Sequence, residues 1–208
     1  MIYAENILLC IVVPLLISLL FLRGNARRFV VNFLVGMGVC LIAAYISGFL
    51  QQSSGLNAND TAIFLSPIVE ELMKLLPLLF YLLVFLPKDR TLTDAAVGIG
   101  AGFATFENCC YILSFGAESF FYMLVRGMAV GVMHIASILA TALWLIAVRR
   151  LGVLSFSAVL GALSLSMAVH ALYNLLVSGE GIFPIIGYAL PLAAAVFLVY
   201  LNQKITKQ

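Results

Sequence analysis

The sequence predicts an all-α membrane protein: one domain over residues 1–208, built as a bundle of about seven transmembrane helices. Three observations predict it. First, 64% of the 208 residues are apolar and only 10% are charged, whereas a soluble domain carries roughly 45–50% and about 25%. Second, the apolar residues form long solid runs, not the short alternating segments of an outer-membrane strand. Third, the basic residues collect in every second connection. With a mean hydropathy of +1.16, the chain has too little polar surface to cover a water-facing globule. A secreted enzyme, a cytosolic domain and a disordered tail are therefore excluded. So is nucleic-acid binding, because the formal charge is only +2 and no basic patch has aromatic partners.

The runs follow one another in order. The first, at 4–22, has Glu5 near its start and Arg23, Arg27 and Arg28 behind it. That is the pattern of an anchor with its N-terminus outside, not of a cleaved signal peptide. The second lies at 29–50 and carries no ionisable group except Cys40 and Tyr45. The third, at 62–86, contains Glu70, Glu71 and Lys74 between Pro67 and Pro77, and is followed by Lys88 and Arg90. The fourth, at 95–115, contains Gly98xxxGly102 and Glu107. The fifth, at 120–148, contains Arg126, Gly127xxxGly131 and His134, and ends before Arg149 and Arg150. The small-residue pairs of these two runs imply that the fourth and fifth helices pack closely. The sixth, at 154–177, carries His170 and Asn174, and the seventh, at 183–202, precedes Lys204 and Lys207. The remaining connections, including 51–61, 116–119 and 178–182, have no Lys or Arg, so nine of the eleven basic residues fall on one side. The positive-inside rule makes that side cytoplasmic, with the N-terminus out and the C-terminus in. Cys10, Cys40, Cys109 and Cys110 form no CxxC and no zinc spacing, and read as small buried packing residues.

Seven polar side chains sit where a bilayer should be. An ionised group at that depth costs roughly 2.5–3.5 kcal/mol, so Glu70, Glu71, Lys74, Glu107 and Arg126 unpaired would cost on the order of 12–18 kcal/mol. A whole fold is stable by only about 5–15 kcal/mol. These groups must be paired, neutral or in contact with a wet cavity. Counted from the outer helix ends at about 1.5 Å per residue, Glu70 and Glu71 lie roughly 12–14 Å deep, Glu107 about 12 Å, His170 about 11 Å and Arg126 about 9 Å. Asn174 lies about 5 Å deep, and His134 lies deeper, near the middle. Four helices thus bring polar groups into one slab.

Spacing sharpens this. Glu70 and Lys74 are i, i+4 and Glu71 and Lys74 are i, i+3, so one lysine serves either carboxylate and leaves the other free. Each proline frees a carbonyl four residues earlier, tolerated at membrane depth only beside protein or water. Phe103, Glu107 and Tyr111 share one stripe; His134, Ser137 and Thr141 share another; Ser166, His170 and Asn174 share a third. Peptide hydrolysis needs a base for water, a donor to the oxyanion and an acid for the leaving amine. A desolvated carboxylate is a strong base, and His or Asn donates hydrogen bonds, so the slab holds the parts. HExxH, GxGD, a buried aspartate and a rhomboid-like serine setting are all absent.

Glu70-Glu71-x-x-Lys74, Phe106-Glu107-x-x-x-Tyr111, His134 and His170-x-x-x-Asn174 together resemble the PrsW family of intramembrane proteases, and more distantly the CAAX prenyl endopeptidase superfamily. The motif-bearing core covers about 62–177. The resemblance implies cleavage of a membrane-anchored protein near the outer face, of the anti-sigma-factor kind, in a bacterial plasma membrane. It implies Glu70 as general base, Glu71 paired with Lys74, and Glu107 in place of a CAAX-enzyme histidine. His170 and Asn174 would hold the oxyanion, and His134 has no secure counterpart. The cofactor is either none or Zn²⁺. Glu70, Glu107, His134 and His170 would make an acceptable four-ligand set. Metal-free chemistry is preferred, since no ligand-rich motif such as HExxH is present.

Taken singly, each residue has a plainer reading. Glu70, Glu71 and Lys74 alone read equally as a structural ion cluster, Arg126 as a clamp on a carboxylate or carbonyls, and His134 and Asn174 as interhelical hydrogen bonds. Tyr111 reads as packing or as support for the site, and Ser137 and Ser166 as hydroxyls bonded back to their own helices. The alternative class is a proton- or cation-coupled transporter with a buried Glu/His relay. Against it, no inverted repeat is visible and seven spans do not halve. A non-catalytic receptor or immunity protein is a third class, disfavoured by the complete Glu, Glu, His, Asn set.

Overall fold

The structure, a computed structural model, describes residues 4–116 and 119–206. Lys207 and half of the connection at 116–119 lie outside them. The described residues contain helices and no strand. They run α1 Ala4–Ser18, α2 Gly24–Ser54, the single turn α3 Ala58–Asp60, a π-helical turn Thr61–Leu65, α4 Ser66–Phe85, α5 Asp89–Phe115, α6 Phe120–Arg150, α7 Phe156–Val177 and α8 Phe183–Thr206. Five of these, α2, α5, α6, α7 and α8, are long and apolar enough to cross a membrane. The predicted first run is helical only over the 15 residues of α1. The 20-residue α4 carries three charged side chains within its apolar length.

Helix ends follow local chemistry. α2 stops where Gly55 takes a left-handed conformation (φ 71°) and its N–H bonds Gln51 O. α4 stops at Leu86, also left-handed (φ 44°), with Pro87 next. α5 begins at Asp89, six residues before the apolar run, because an acid in the first turn suits the positive end of a helix. Asp89 is also held by Arg149 and Arg150 at the end of α6, and Arg150 Nη2 donates to Ile205 O on α8 at 2.8 Å. These contacts tie the ends of α5, α6 and α8 into one basic end of the bundle.

α5 is the spine, packed between α2 and α6, with α4 and α1 against α2, and α7 and α8 against α6. Glycines set its separation from both neighbours. A Cβ on Gly102 would lie 1.9 Å from Phe33 O, and one on Gly36 would lie 2.1 Å from Ile99 O. On the opposite side of α5, a Cβ on Gly100 would lie 2.8 Å from Ile135 Cα of α6. Close approach of the fourth and fifth predicted spans is therefore real, but by a different residue than expected. Gly98 and Gly102 face α2, and Gly127 and Gly131 meet nothing within 4 Å. The reason is the two-residue offset of Gly100 from Gly98 and Gly102, which turns it to the opposite face of α5. Three cysteines also depart from expectation: Cys40 is buried, but Cys10 is exposed on α1 and Cys109 and Cys110 are only half-buried on α5.

Below the polar slab the core is aliphatic, with Leu75, Leu78 and Leu82 of α4 against Ile99 of α5 and Ile138 and Ile146 of α6. Above it, Met37, Val69, Phe103 and Phe106 fill the space between α2, α4 and α5. Gly102→Ala should lower the melting temperature of the purified protein by roughly 2–12 °C, as overpacking of a close helix pair does. Gly127→Ala, which meets open space, should leave it unchanged; equal effects of the two would contradict this packing.

Candidate active site

Four helices deliver the polar residues to one place. α4 brings Glu70, Glu71 and Lys74, α5 brings Glu107, α6 brings Arg126 and His134, and α7 brings His170 and Asn174. Their i, i+4 stripes meet lengthwise. The rings of His134 and His170 stand edge to face with centroids 5.1 Å apart. Two turns along, Thr141 Oγ1 and Ser166 Oγ are 2.6 Å apart.

The innermost layer is closed and fully paired. Glu71 and Lys74 are 3% and 1% exposed, His134 and His170 are 0% and 2%. Lys74 Nζ donates to Glu71 Oε1 (2.7 Å) and Ser137 Oγ (2.9 Å) and lies 3.1 Å from His134 Nδ1. Glu71 Oε1 also lies 2.8 Å from His170 Nδ1 and receives the Ser137 hydroxyl at 3.3 Å. Lysine thus pairs with Glu71 and leaves Glu70 free. Phe103 closes this layer, its ring centroid 5.3 Å from Lys74 Nζ.

These partners fix both imidazoles. His170 Nδ1–H donates to the Glu71 carboxylate, which turns Nε2 toward Glu70 Oε2, 3.8 Å away. Lys74, as an ammonium, only donates, so His134 Nδ1 accepts and Nε2 carries the hydrogen. That Nε2 bonds Glu107 Oε2 and lies 4.0 Å from Glu70 Oε2.

The outer layer is a cleft of about 380 Å³ lined by Ser66, Glu70, Glu107, Tyr111, Arg126 and Asn174, among others. Arg126 reaches Glu107 Oε1 at 3.7 Å and Asn108 Oδ1 at 3.4 Å, and its guanidinium lies 3.7 Å above the Tyr111 ring. The hydroxyls of Tyr111 and Tyr122 are 3.2 Å apart. Asn174 Nδ2 donates to Ala62 O at 2.8 Å, at the π turn. Every residue singled out in the sequence therefore lies in this cleft or in the closed layer beneath it.

The sequence reading put Ser137 on the His134 stripe but gave its hydroxyl only a bond back to its own helix. Its hydroxyl does bond back to His134 O (3.1 Å), as a helix serine should, but it also bridges Glu71 and Lys74. Its place one turn beyond His134 was the available signal. Asn108 and Tyr122 were missed as well, and nothing in their local sequence marks them.

A metal fits this donor set. Glu70, His134 and His170 each offer one ligand atom, all within 4.8 Å of one another. Two imidazoles and a carboxylate are a donor set that Zn²⁺ accepts. His170 has the carboxylate partner on Nδ1 that commonly orients a ligating histidine. His134 would join as a neutral imidazole only with its hydrogen moved from Nε2 to Nδ1, where Lys74 Nζ would accept it as an uncharged amine, leaving the Glu107 carboxylate unprotonated. The expected four-residue set thus appears as three converging side chains, with Glu107 behind His134. Formally the three carboxylates exceed Lys74 and Arg126 by one charge, which favours a cation.

A family profile described as "PrsW family intramembrane metalloprotease" matches residues 25–201. No curated protein and no solved structure shows a significant match. The family description favours the metal alternative over the metal-free form preferred from sequence.

Lys74→Met should destabilise the protein by roughly 3–5 kcal/mol, because it strands a buried carboxylate. Adding Glu71→Gln should recover part of that loss in thermal or denaturant unfolding of detergent-solubilised protein. A double variant weaker than the sum of its parts would show that the pair is not the coupled unit described.

Proposed function

The chain belongs to the PrsW family of intramembrane metalloproteases, and on that footing we propose that it hydrolyses a peptide bond of a membrane-anchored protein, of the anti-sigma-factor kind, in a bacterial plasma membrane. It is a multi-pass membrane protease by family and by its apolar helices. Our reading adds α1 and α4 to the five apolar spans, giving seven, with the N-terminus outside. The cleft then opens toward the outer face, since it lies at the end of the bundle away from Arg149, Arg150 and Asp89.

The observation that carries this reading is the convergence of Glu70, His134 and His170 beside a second carboxylate, Glu107, with both glutamates lining a cleft of about 380 Å³ directly above the two histidines. A divalent cation, Zn²⁺ by donor type, would be held by Glu70, His134 and His170, and would supply Lewis-acid polarisation of the scissile carbonyl and of water. The protein's own groups do the rest. Glu107 is the base: it borders the cleft and lies beside His134, and Arg126 steadies its other oxygen. It takes a proton from water as the oxygen adds to the carbonyl carbon, then returns it to the amide nitrogen as the C–N bond breaks. Lys74, Glu71 and Ser137 hold the two imidazoles in the orientations described, so the site is arranged before substrate arrives. Assigning the base to Glu107 differs from the role that the family resemblance suggests for Glu70. It follows from giving Glu70 to the cation.

Elemental analysis and cleavage assays on the same preparations separate these roles. The substrate would be a library of single-span peptides with a quenched fluorophore pair across the outer end of the span. Wild type should carry about one zinc per chain and cleave library members. Glu70→Gln and His170→Ala should lose both metal and cleavage, and Glu107→Gln should keep the metal and lose cleavage by at least about a hundredfold. Metal lost in Glu107→Gln would make that residue a ligand. Cleavage by metal-free wild type with chelator present would return the base to Glu70.

A further inference from the structure

The π turn and Pro67 together deprive the Ala62 carbonyl, at the cleft, of its usual backbone donors. In a π turn each carbonyl is bonded by the N–H five residues on, and here Ser66 N–H bonds Thr61 O. The next carbonyl, Ala62 O, would take the N–H of residue 67, and residue 67 is proline. Simple α spacing would have given Ala62 O the Ser66 N–H, which the π turn instead directs to Thr61 O. Asn174 Nδ2 fills the gap at 2.8 Å.

Position gives this bond a consequence. Ala62, Ser66 and Glu70 are i, i+4, i+8, and all three line the cleft. His170 and Asn174 are i, i+4 on α7. Two rungs therefore join the glutamate helix to the histidine helix: His170 with Glu70 and Glu71 within, and Asn174 with Ala62 without. We infer that Asn174 is a positioning residue, which replaces the N–H missing at Pro67 and so sets the register of the Glu70 helix against the His170 helix. It acts through Ala62 and not on the scissile carbonyl. This rests on the hydrolase reading for its effect on cleavage, though not for the bond itself.

The proposal makes an unusual demand: a substitution at Pro67 should repair one at Asn174. Restoring an N–H at residue 67 gives Ala62 O a backbone donor and makes the amide dispensable. Two readouts are taken on detergent-solubilised protein: cleavage of the fluorogenic single-span peptide library, and hydrogen–deuterium exchange of the amides at 61–66. Asn174→Ala should lower cleavage about tenfold, the cost of one lost hydrogen bond, and speed exchange at 61–66. Asn174→Ala with Pro67→Ala should slow exchange again and bring cleavage back to within about threefold of wild type. Three outcomes overturn the inference. The first is loss of cleavage in Asn174→Ala with exchange unchanged, which makes the amide a direct donor to substrate. The second is slow exchange without cleavage in the double variant, and the third is no change of either readout in Asn174→Ala. Should wild type cleave no library member, the hydrolase reading fails, and exchange alone decides whether the rung exists.

Discussion

The ion pair of Lys74 with Glu71 is the constraint around which the rest of the site is arranged. Two full charges almost wholly removed from solvent are tolerated only if nearly every donor and acceptor is met. Meeting them recruits Ser137 and His134 from α6 and His170 from α7. Those contacts fix which nitrogen of each imidazole carries hydrogen. The ring orientations in turn decide what faces Glu70. One buried pair therefore orients both imidazoles beneath the cleft, and the residues that hold the ion pair also shape the candidate site.

Packing makes that possible. Helices that carry bulky residues at their contacts stand about 8–10 Å apart. At that spacing the polar stripes would not all reach one point. The glycines of α2 and α5 bring backbone against backbone on one side of the spine, and Gly100 does the same on the other. Glu107, on α5, is thereby drawn in toward His134 on α6. Fold and site share one geometric requirement, a spine thin enough for its neighbours to converge across it.

Much of this was legible in the sequence. Solid apolar runs give helices, and the insertion cost of stray charges forces Glu70, Glu71, Lys74, Glu107 and Arg126 to find partners. The i, i+3 and i, i+4 spacings named the stripes that meet. What stayed hidden depends on rotation about helix axes. Which of the two carboxylates takes Lys74 is undetermined by spacing, since both are within reach. Gly98 and Gly102 were read against the wrong neighbour because a small-residue pair states that a helix approaches closely, not which one. Ser137 was set aside because back-bonding is the usual habit of a helix serine; it does that and also bridges the pair. The π turn left no mark, since a single extra backbone residue alters no hydropathy pattern.

The separation of the ion pair's partners along the chain bears on how the protein is made. Lys74 finds His134 and Ser137 at sequence separations of 60 and 63, and Glu71 finds His170 at 99. At synthesis rates of about 5–20 residues per second, that last partner is made roughly 5–20 s after Glu71. Until then α4 carries three charges with only its own i, i+3 bond to offset them. Its charges find their remaining partners only when α6 and α7 arrive. The helix that carries Glu70 and Glu71 is thus secured late, and a chain truncated before α7 lacks the His170 partner of its buried carboxylate.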